Sequence, residues 1–343
     1  MNTMKILDKA KLAEFLKGLT PDFEVIVPLK EDENLLFGDL DAAKLEAAFT
    51  GRPLLPPKEY LFPQKEKLLA FTIKDGGEVK IEAHLDNVKR AIWGIRPCDL
   101  YGIKTLDSVF LPNYTDTYYQ ARRENTILMG LNCTEPCETG FCNSLQTGPF
   151  AADSFDLLFT NLADKFLVEI GSNKGEELIG KRANLFTEAT DGDKRKAKEL
   201  EEKCKQAFKY SFDAKMVNNG LAKAWDDALW TEESKTCILC GGCNFVCPTC
   251  YCFNIEDIAT EQQQVSERMR YWDSCQFSGF TQMAAENTRR VQAERLRQRI
   301  YHKLYYIPIQ YDGAIGCTGC GRCIDICPAE IDITNIMRRV TEK

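Results

Sequence analysis

The spacing of cysteines constrains this chain more than any other feature. Cys237-Ile-Leu-Cys240-Gly-Gly-Cys243-Asn-Phe-Val-Cys247-Pro248 is a C-x2-C-x2-C-x3-C-P run, and Cys317-Thr-Gly-Cys320-Gly-Arg-Cys323-Ile-Asp-Ile-Cys327-Pro328 repeats it. In such runs three thiolates wrap the irons of one cubane, and the fourth cysteine leaves the loop to serve the other. The spacing therefore predicts two [4Fe–4S] clusters. One is assigned to Cys237, Cys240, Cys243 and Cys327, the second to Cys317, Cys320, Cys323 and Cys247. Gly241, Gly242, Gly319 and Gly321 are expected to let backbone N–H groups approach the sulfides. The proline after each fourth cysteine is expected to open a helix. The rival from another class is a pair of four-thiolate zinc sites in a structural or assembly module. Zinc ribbons do not normally repeat this spacing with a trailing proline.

The rest of the composition narrows the chemistry. Of 343 residues sixteen are cysteine and two are histidine, His84 and His302, and no Cys-x-x-Cys-His occurs. That excludes c-type haem and disfavours histidine-rich zinc or copper sites. Met1–Leu19 reads as a helix whose apolar residues are interrupted by lysines, unlike a secretory leader. A cytoplasmic protein is expected, with reduced thiols rather than a disulfide scaffold. With 51 acidic against 44 basic residues, the chain lacks the basic footprint of a nucleic-acid or anionic-membrane binder. No run of apolar residues is long enough to span a bilayer.

Apolar runs bounded by turn residues predict strands at Glu24–Leu29, Leu68–Ile73, Ala91–Ile95, Thr126–Asn132, Phe155–Leu162 and Lys165–Ile170. Asp99–Phe110 has helical spacing, so a βαβ unit with a parallel strand pair is expected there. Arg52–Pro57 reads as a Pro-rich surface loop, and Asp191–Phe212 as an amphipathic helix. Glu256–Arg270 and Gly279–Lys303 have helical composition. The expected architecture is an α/β (α+β) N-terminal domain over 1–225, then a mostly α-helical ferredoxin-like dicluster domain over 226–343.

A third cysteine constellation lies in the first part. Cys98 follows the Ala91–Ile95 strand, and Cys133, Cys137 and Cys142 follow the Thr126–Asn132 strand. If these strands are adjacent and parallel, all four thiols gather at their carboxyl ends, the usual ligand edge of an α/β sheet. A third [4Fe–4S] cluster, a structural zinc or free buried cysteines would each fit. Cys250 and Cys252 read as packing or as sulfur contacts tuning a cluster, and Cys275 as packing, a ligand or a redox thiol. Cys204 falls on an apolar helix stripe and reads as core. Arg289, Arg290, Arg295, Arg297, Arg299, His302 and Lys303 form either a solvated face or cations that offset cluster charge or dock a partner. Gly-x-Gly-x-x-Gly, the P-loop pattern and H-E-x-x-H are absent, and no Ser/His/Asp grouping can be drawn.

Together, Ile95-Arg-Pro-Cys98-Asp-Leu, the Cys133–Cys142 cluster, Cys247-Pro-Thr-Cys250-Tyr-Cys252, Trp272-Asp-Ser-Cys275, Arg297-Gln-Arg299-Ile-Tyr-His302-Lys303 and Gly316-Cys317-Thr-Gly-Cys320-Gly-Arg-Cys323 resemble one family. It is the family shared by the β subunit of cytoplasmic sulfhydrogenases and the iron–sulfur subunit of anaerobic sulfite reductase. The resemblance implies an iron–sulfur electron-transfer subunit with a third cluster on Cys98, Cys133, Cys137 and Cys142. It implies a partner flavoprotein of the ferredoxin–NADP-reductase type, carrying FAD and NAD(P)H, and a catalytic partner. That partner would be a hydrogenase, a sulfite reductase or a heterodisulfide-reductase-like module. The alternative it leaves is a chain of anaerobic sulfite reductase contributing directly to sulfite reduction. Where the family often carries Cys-Phe-Cys, this chain has Gly140-Phe141-Cys142 and a cysteine at Cys137.

Overall fold

A computed structural model of the chain describes residues 4–45, 49–74, 77–261, 265–311 and 313–342. The strands are β1 (Met4–Asp8), β2 (Glu24–Glu31), β3 (Asn34–Asp39), β4 (Lys65–Ile73), β5 (Val79–Ala83), β6 (Arg90–Ile95) and β7 (Thr126–Leu131). They continue as β8 (Leu157–Asn161), β9 (Lys165–Ile170), β10 (Phe186–Glu188), β11 (Phe253–Ala259) and β12 (Val265–Trp272). Eight of them form one sheet in the order β10-β1-β9-β8-β7-β6-β2-β3, with β2, β6, β7 and β8 mutually parallel and the flanks antiparallel. Strands buried on both faces read as continuous apolar runs, and β7 (Thr-Ile-Leu-Met-Gly-Leu) is buried at every position. One face packs Leu7, Phe15, Val27, Trp93, Phe159 and Phe166, and the other packs Ile92, Ile95, Leu100, Ile103 and Phe110.

The expected βαβ unit is present. The helix Pro97–Phe110 leaves β6 with Pro97 in its first turn and an acidic residue, Asp99, beside it, both favourable at a helix N-terminus. A second helix, Thr117–Glu124, leads into β7, which runs parallel to β6. The amphipathic helix forms over Asp191–Gln206, started by a capping box in which the Asp193 N–H donates to Thr190 Oγ1 at 3.2 Å and the Thr190 N–H donates to Asp193 Oδ2 at 3.0 Å.

Several expectations are corrected. The N-terminal segment is β1 followed by a short helix at Leu12–Lys17, because Ile6 and Leu7 fill the space between β9 and β10; residues 1–3 lie outside the description. The Leu68–Ile73 strand exists, but in a second, antiparallel sheet of order β11-β12-β4-β5. That sheet also takes Glu256–Arg270, so the part after residue 225 is a mixture of helix and hairpin rather than mostly helical; residues 262–264 fall outside the description. The charges that suggest a helix are cross-strand partners. Asp257 lies opposite Arg268, whose guanidinium donates to both carboxylate oxygens at 2.7 and 2.8 Å. Of Gly279–Lys303, only Gln292–Tyr301 forms an α-helix, continuing as a π-helical turn over His302–Tyr306. The segment after each Cys-Pro is a turn; the helical turns precede it, at Gly242–Phe245 and Arg322–Asp325. The Pro-rich loop is not superficial either, since Pro53, Pro56, Pro57 and Lys58 are buried against the C-terminal part.

Glu66 on β4 joins these layers. Its buried carboxylate accepts from Arg270 Nε of β12 at 2.5 Å and is ion-paired with Arg122 Nη1 of the Thr117–Glu124 helix at 2.7 Å. Removing one member of a buried ion group strands the others in low dielectric. Glu66→Ala is expected to lower stability by about 3–5 kcal/mol, measured by urea unfolding.

Candidate metal centres

Each run folds as a loop that needs left-handed backbone. In the first, Leu239 has φ 57° and Gly241 φ 74°; in the second, Gly319 has φ 61° and Gly321 φ 79°. The glycines answer to packing. A Cβ on Gly241 would stand 2.8 Å from the Phe277 ring, one on Gly319 would stand 2.7 Å from the Cys142 backbone, and one on Gly321 would press on Thr139.

Cys237, Cys240 and Cys243 line a cavity of about 600 Å³, and Cys327 of the second run closes it, with Cys323 also on the wall. The remaining lining is mostly apolar, and Arg299 is the charged side chain there. Cys327 Sγ accepts the Ile331 N–H at 3.4 Å, and Cys237 accepts a backbone N–H from Leu239. Burial pushes the Cys243 thiol up to about 12. Such a thiol holds its proton until a cation replaces it, which favours metal ligation over a bare thiolate.

The second set surrounds Cys247, which lies near enough to Cys317 and Cys323 for their charges to interact. Lys303 is buried, and its Nζ donates to Cys247 Sγ at 3.0 Å, to Thr249 Oγ1 at 3.0 Å and to Gly316 O at 3.1 Å. Cys250 donates its S–H to Cys247, and that bond with the Lys303 ammonium holds the Cys247 thiol well below the usual range. Burial pushes Cys317 up to about 12. Arg299, also buried, donates from Nε to Asn244 Oδ1 at 3.1 Å. The basic run thus splits. Arg295, Arg299 and Lys303 are buried, and Arg297 stacks 3.9 Å from the centre of the Trp225 ring.

The third set forms where β6 and β7 end side by side. Cys98, Cys133, Cys137 and Cys142 line a cavity of about 360 Å³ together with Arg52, Arg96 and Cys320. Burial raises Cys133 to about 11 and Cys142 well above the ordinary thiol value. Arg52 Nη2 is ion-paired with Asp325, while its buried Nε and Nη1 have no hydrogen-bond partner. Buried guanidinium donors without an acceptor, beside four thiols, suit an anionic guest. The cavity is tied to the second run: the Phe141 N–H donates to Gly319 O at 2.8 Å, Thr147 Oγ1 donates to Thr318 O at 2.6 Å, and Arg322 donates to Asp99 at 2.5 and 2.8 Å. Cys204 is buried close to this set but is not on the cavity wall.

Among the described residues, no three His, Cys, Asp or Glu side chains come together as ligands of a single ion. The thiols ring cavities instead, with soft sulfur donors and buried cations, and this donor set fits iron–sulfur clusters. Arg52, Lys58 and the Asp99–Arg322 pair escape sequence reading, because a Pro-rich segment and a lone charge carry no sign of burial among thiols.

Residues 236–331 match the model of the 4Fe-4S dicluster domain family. The sulfhydrogenase 2 subunit beta of Pyrococcus furiosus is 34% identical over 331 residues, covering 96% of each chain. No helix among the described residues is long and apolar enough to cross a membrane. With near-complete coverage of that relative, and thiols gathered in the region the dicluster model matches, the chain belongs to the sulfhydrogenase β-subunit family of iron–sulfur electron-transfer proteins.

Proposed function

We propose that this chain is a cytoplasmic relay subunit that moves single electrons between a flavoprotein partner and a catalytic redox partner. It would hold one [4Fe–4S] cluster on Cys237, Cys240, Cys243 and Cys327, a second on Cys317, Cys320, Cys323 and Cys247, and a third on Cys98, Cys133, Cys137 and Cys142. The observation that carries this reading is the placement of the Cys317–Cys323 loop. Cys323 lies on the wall of the first cavity and Cys320 on the wall of the third, so one loop adjoins both. Bound clusters supply reversible one-electron storage. The flavoprotein would bind FAD and NAD(P)H and divide hydride pairs into single electrons; the catalytic partner would be of hydrogenase, sulfite-reductase or heterodisulfide-reductase type.

The protein's own groups have definable tasks. The thiolates bind, apolar walls exclude water, and backbone N–H groups at Cys237 and Cys327 donate to sulfur. Lys303, Arg299 and Arg52 bring positive charge into regions that would otherwise hold only anions.

Anaerobically reconstituted protein is expected to be brown and to contain iron and labile sulfide in proportion to three cubanes. Colourless protein with stoichiometric zinc would end the proposal. Cys98→Ser is expected to remove one EPR signal of the reduced protein and leave two, whereas Cys327→Ser removes a different one. Lys303→Met removes a cation touching a ligand sulfur and should make one cluster potential more negative by about 50 mV. An EPR-monitored redox titration reads that shift.

A further inference from the structure

One pair of thiols takes no part in the three sets. Cys252 precedes β11 and Cys275 follows β12, and the Asp273 N–H donates to Cys252 O at 2.9 Å, so the hairpin closes the two against each other. Their side chains are in hydrogen-bond contact, and the Cys275 backbone N–H also donates to Cys252 sulfur. Cys275 Sγ accepts from Asn244 Nδ2 at 3.0 Å and from Gln276 Nε2 at 3.6 Å. Neither amide is free to turn away. Asn244 Oδ1 is taken by Arg299 Nε at 3.1 Å, and Gln276 Nε2 also donates to Arg295 O at 3.1 Å. Cys275 is buried, whereas Cys252 is half-buried and reachable from solvent. The neighbouring Cys250 is engaged with Cys247 instead.

We propose that Cys252 and Cys275 form a two-electron dithiol–disulfide couple, oxidised by a small-molecule disulfide and distinct from the cluster-binding thiols. The geometry divides the labour between an accessible sulfur and a buried one whose fixed donors favour the anion. The Cys252 S–H is the largest influence on Cys275, bringing that thiol down to about 5 while Cys252 itself is raised, so the pair shares one proton held on Cys252. In the first step Cys252 sulfur attacks the external disulfide as its proton passes to Cys275, and one thiolate departs. In the second, Cys275 sulfur gives that proton to a departing thiolate and attacks Cys252 sulfur. The S–S bond forms and the second sulfur leaves. One external disulfide is reduced to one thiol and one thiolate, and the protein dithiol is oxidised by two electrons. Oxidation also takes the acceptor sulfur from Asn244, whose other end holds Arg299 beside Cys243, so the couple reports on the wall of the first cavity.

The test equilibrates the full chain anaerobically with graded mixtures of reduced and oxidised glutathione. After acid quenching, free thiols are alkylated and peptides are read by mass spectrometry. Cys252 and Cys275 should leave the alkylated pool together and appear as one cross-linked pair, while the iron content and brown absorbance stay constant. In Cys275→Ser, Cys252 should instead accumulate as the mixed disulfide with glutathione. The proposal is overturned if both thiols stay alkylated across the series, if Cys252 links to Cys250, or if the cross-link appears only as the brown absorbance is lost. Loss of bound metal from the Cys275→Ser protein would also overturn it, since it would make Cys275 a ligand.

Discussion

A thiolate taken out of water must be met by positive charge, and that requirement organises the C-terminal part of this protein. The desolvation of a buried anion amounts to several kcal/mol before any compensation. Burial raises Cys142, Cys243 and Cys317, so each thiol is better off protonated until a cation arrives. Part of that cation would be iron. The rest is built in, as Lys303 against Cys247, Arg299 beside Cys243 and Cys323, and Arg52 facing the third set. None of these three has a carboxylate neighbour that fully satisfies it. Lys303 touches only a sulfur, a hydroxyl and a carbonyl, and two of the Arg52 nitrogens are unpartnered. The cations and the thiol sets are therefore understandable only together.

The same requirement explains which backbone elements had to be brought into contact. A parallel sheet delivers Cys98 and Cys133 directly to one edge, because β6 and β7 run in the same direction and end side by side. It does not cover them. The second run does so, pressing Gly319 and Gly321 onto the Cys142 and Thr139 backbones at distances no side chain would permit. The buried Arg322–Asp99 pair locks that contact within one residue of Cys98 and of Cys323. Gly102 does the equivalent for the first run, since a Cβ there would stand 2.6 Å from Pro248.

What the sequence discloses follows from the range of each signal. The runs at Cys237–Cys247 and Cys317–Cys327 are local patterns with few other uses, and the strands β2, β6, β7 and β9 are marked by apolar continuity. The third set can be assembled on paper because strand ends are predictable from strands. The hairpin of β11 and β12 hides because Glu256, Asp257, Glu267 and Arg268 resemble a charged helix until one knows which strand lies opposite. β1 hides for a related reason, its lysine sitting beside Ile6 and Leu7 in a segment that continues into a true helix. Arg52 and Lys58 are illegible altogether. Their burial is decided by Asp325, Cys250 and Trp272, residues far away in the chain whose arrival no local window contains.

These long-range dependencies bear on the order in which the molecule can be assembled. The third cavity is walled by residues from Arg52 to Cys320, and its closing contacts pair Asp99 with Arg322 and Phe141 with Gly319. The four thiols can come together as soon as the sheet forms, yet they stay open to water until the last part of the chain has docked. Contacts of such sequence separation form late, since loop closure must precede them. A metal group bound there would in turn stabilise only the docked state, because ligand binding to the folded form draws folding with it. The chain's end is thus held in place twice, by its own cysteine run and by the cavity it seals, and the N-terminal sheet and the C-terminal runs fold as one cooperative unit.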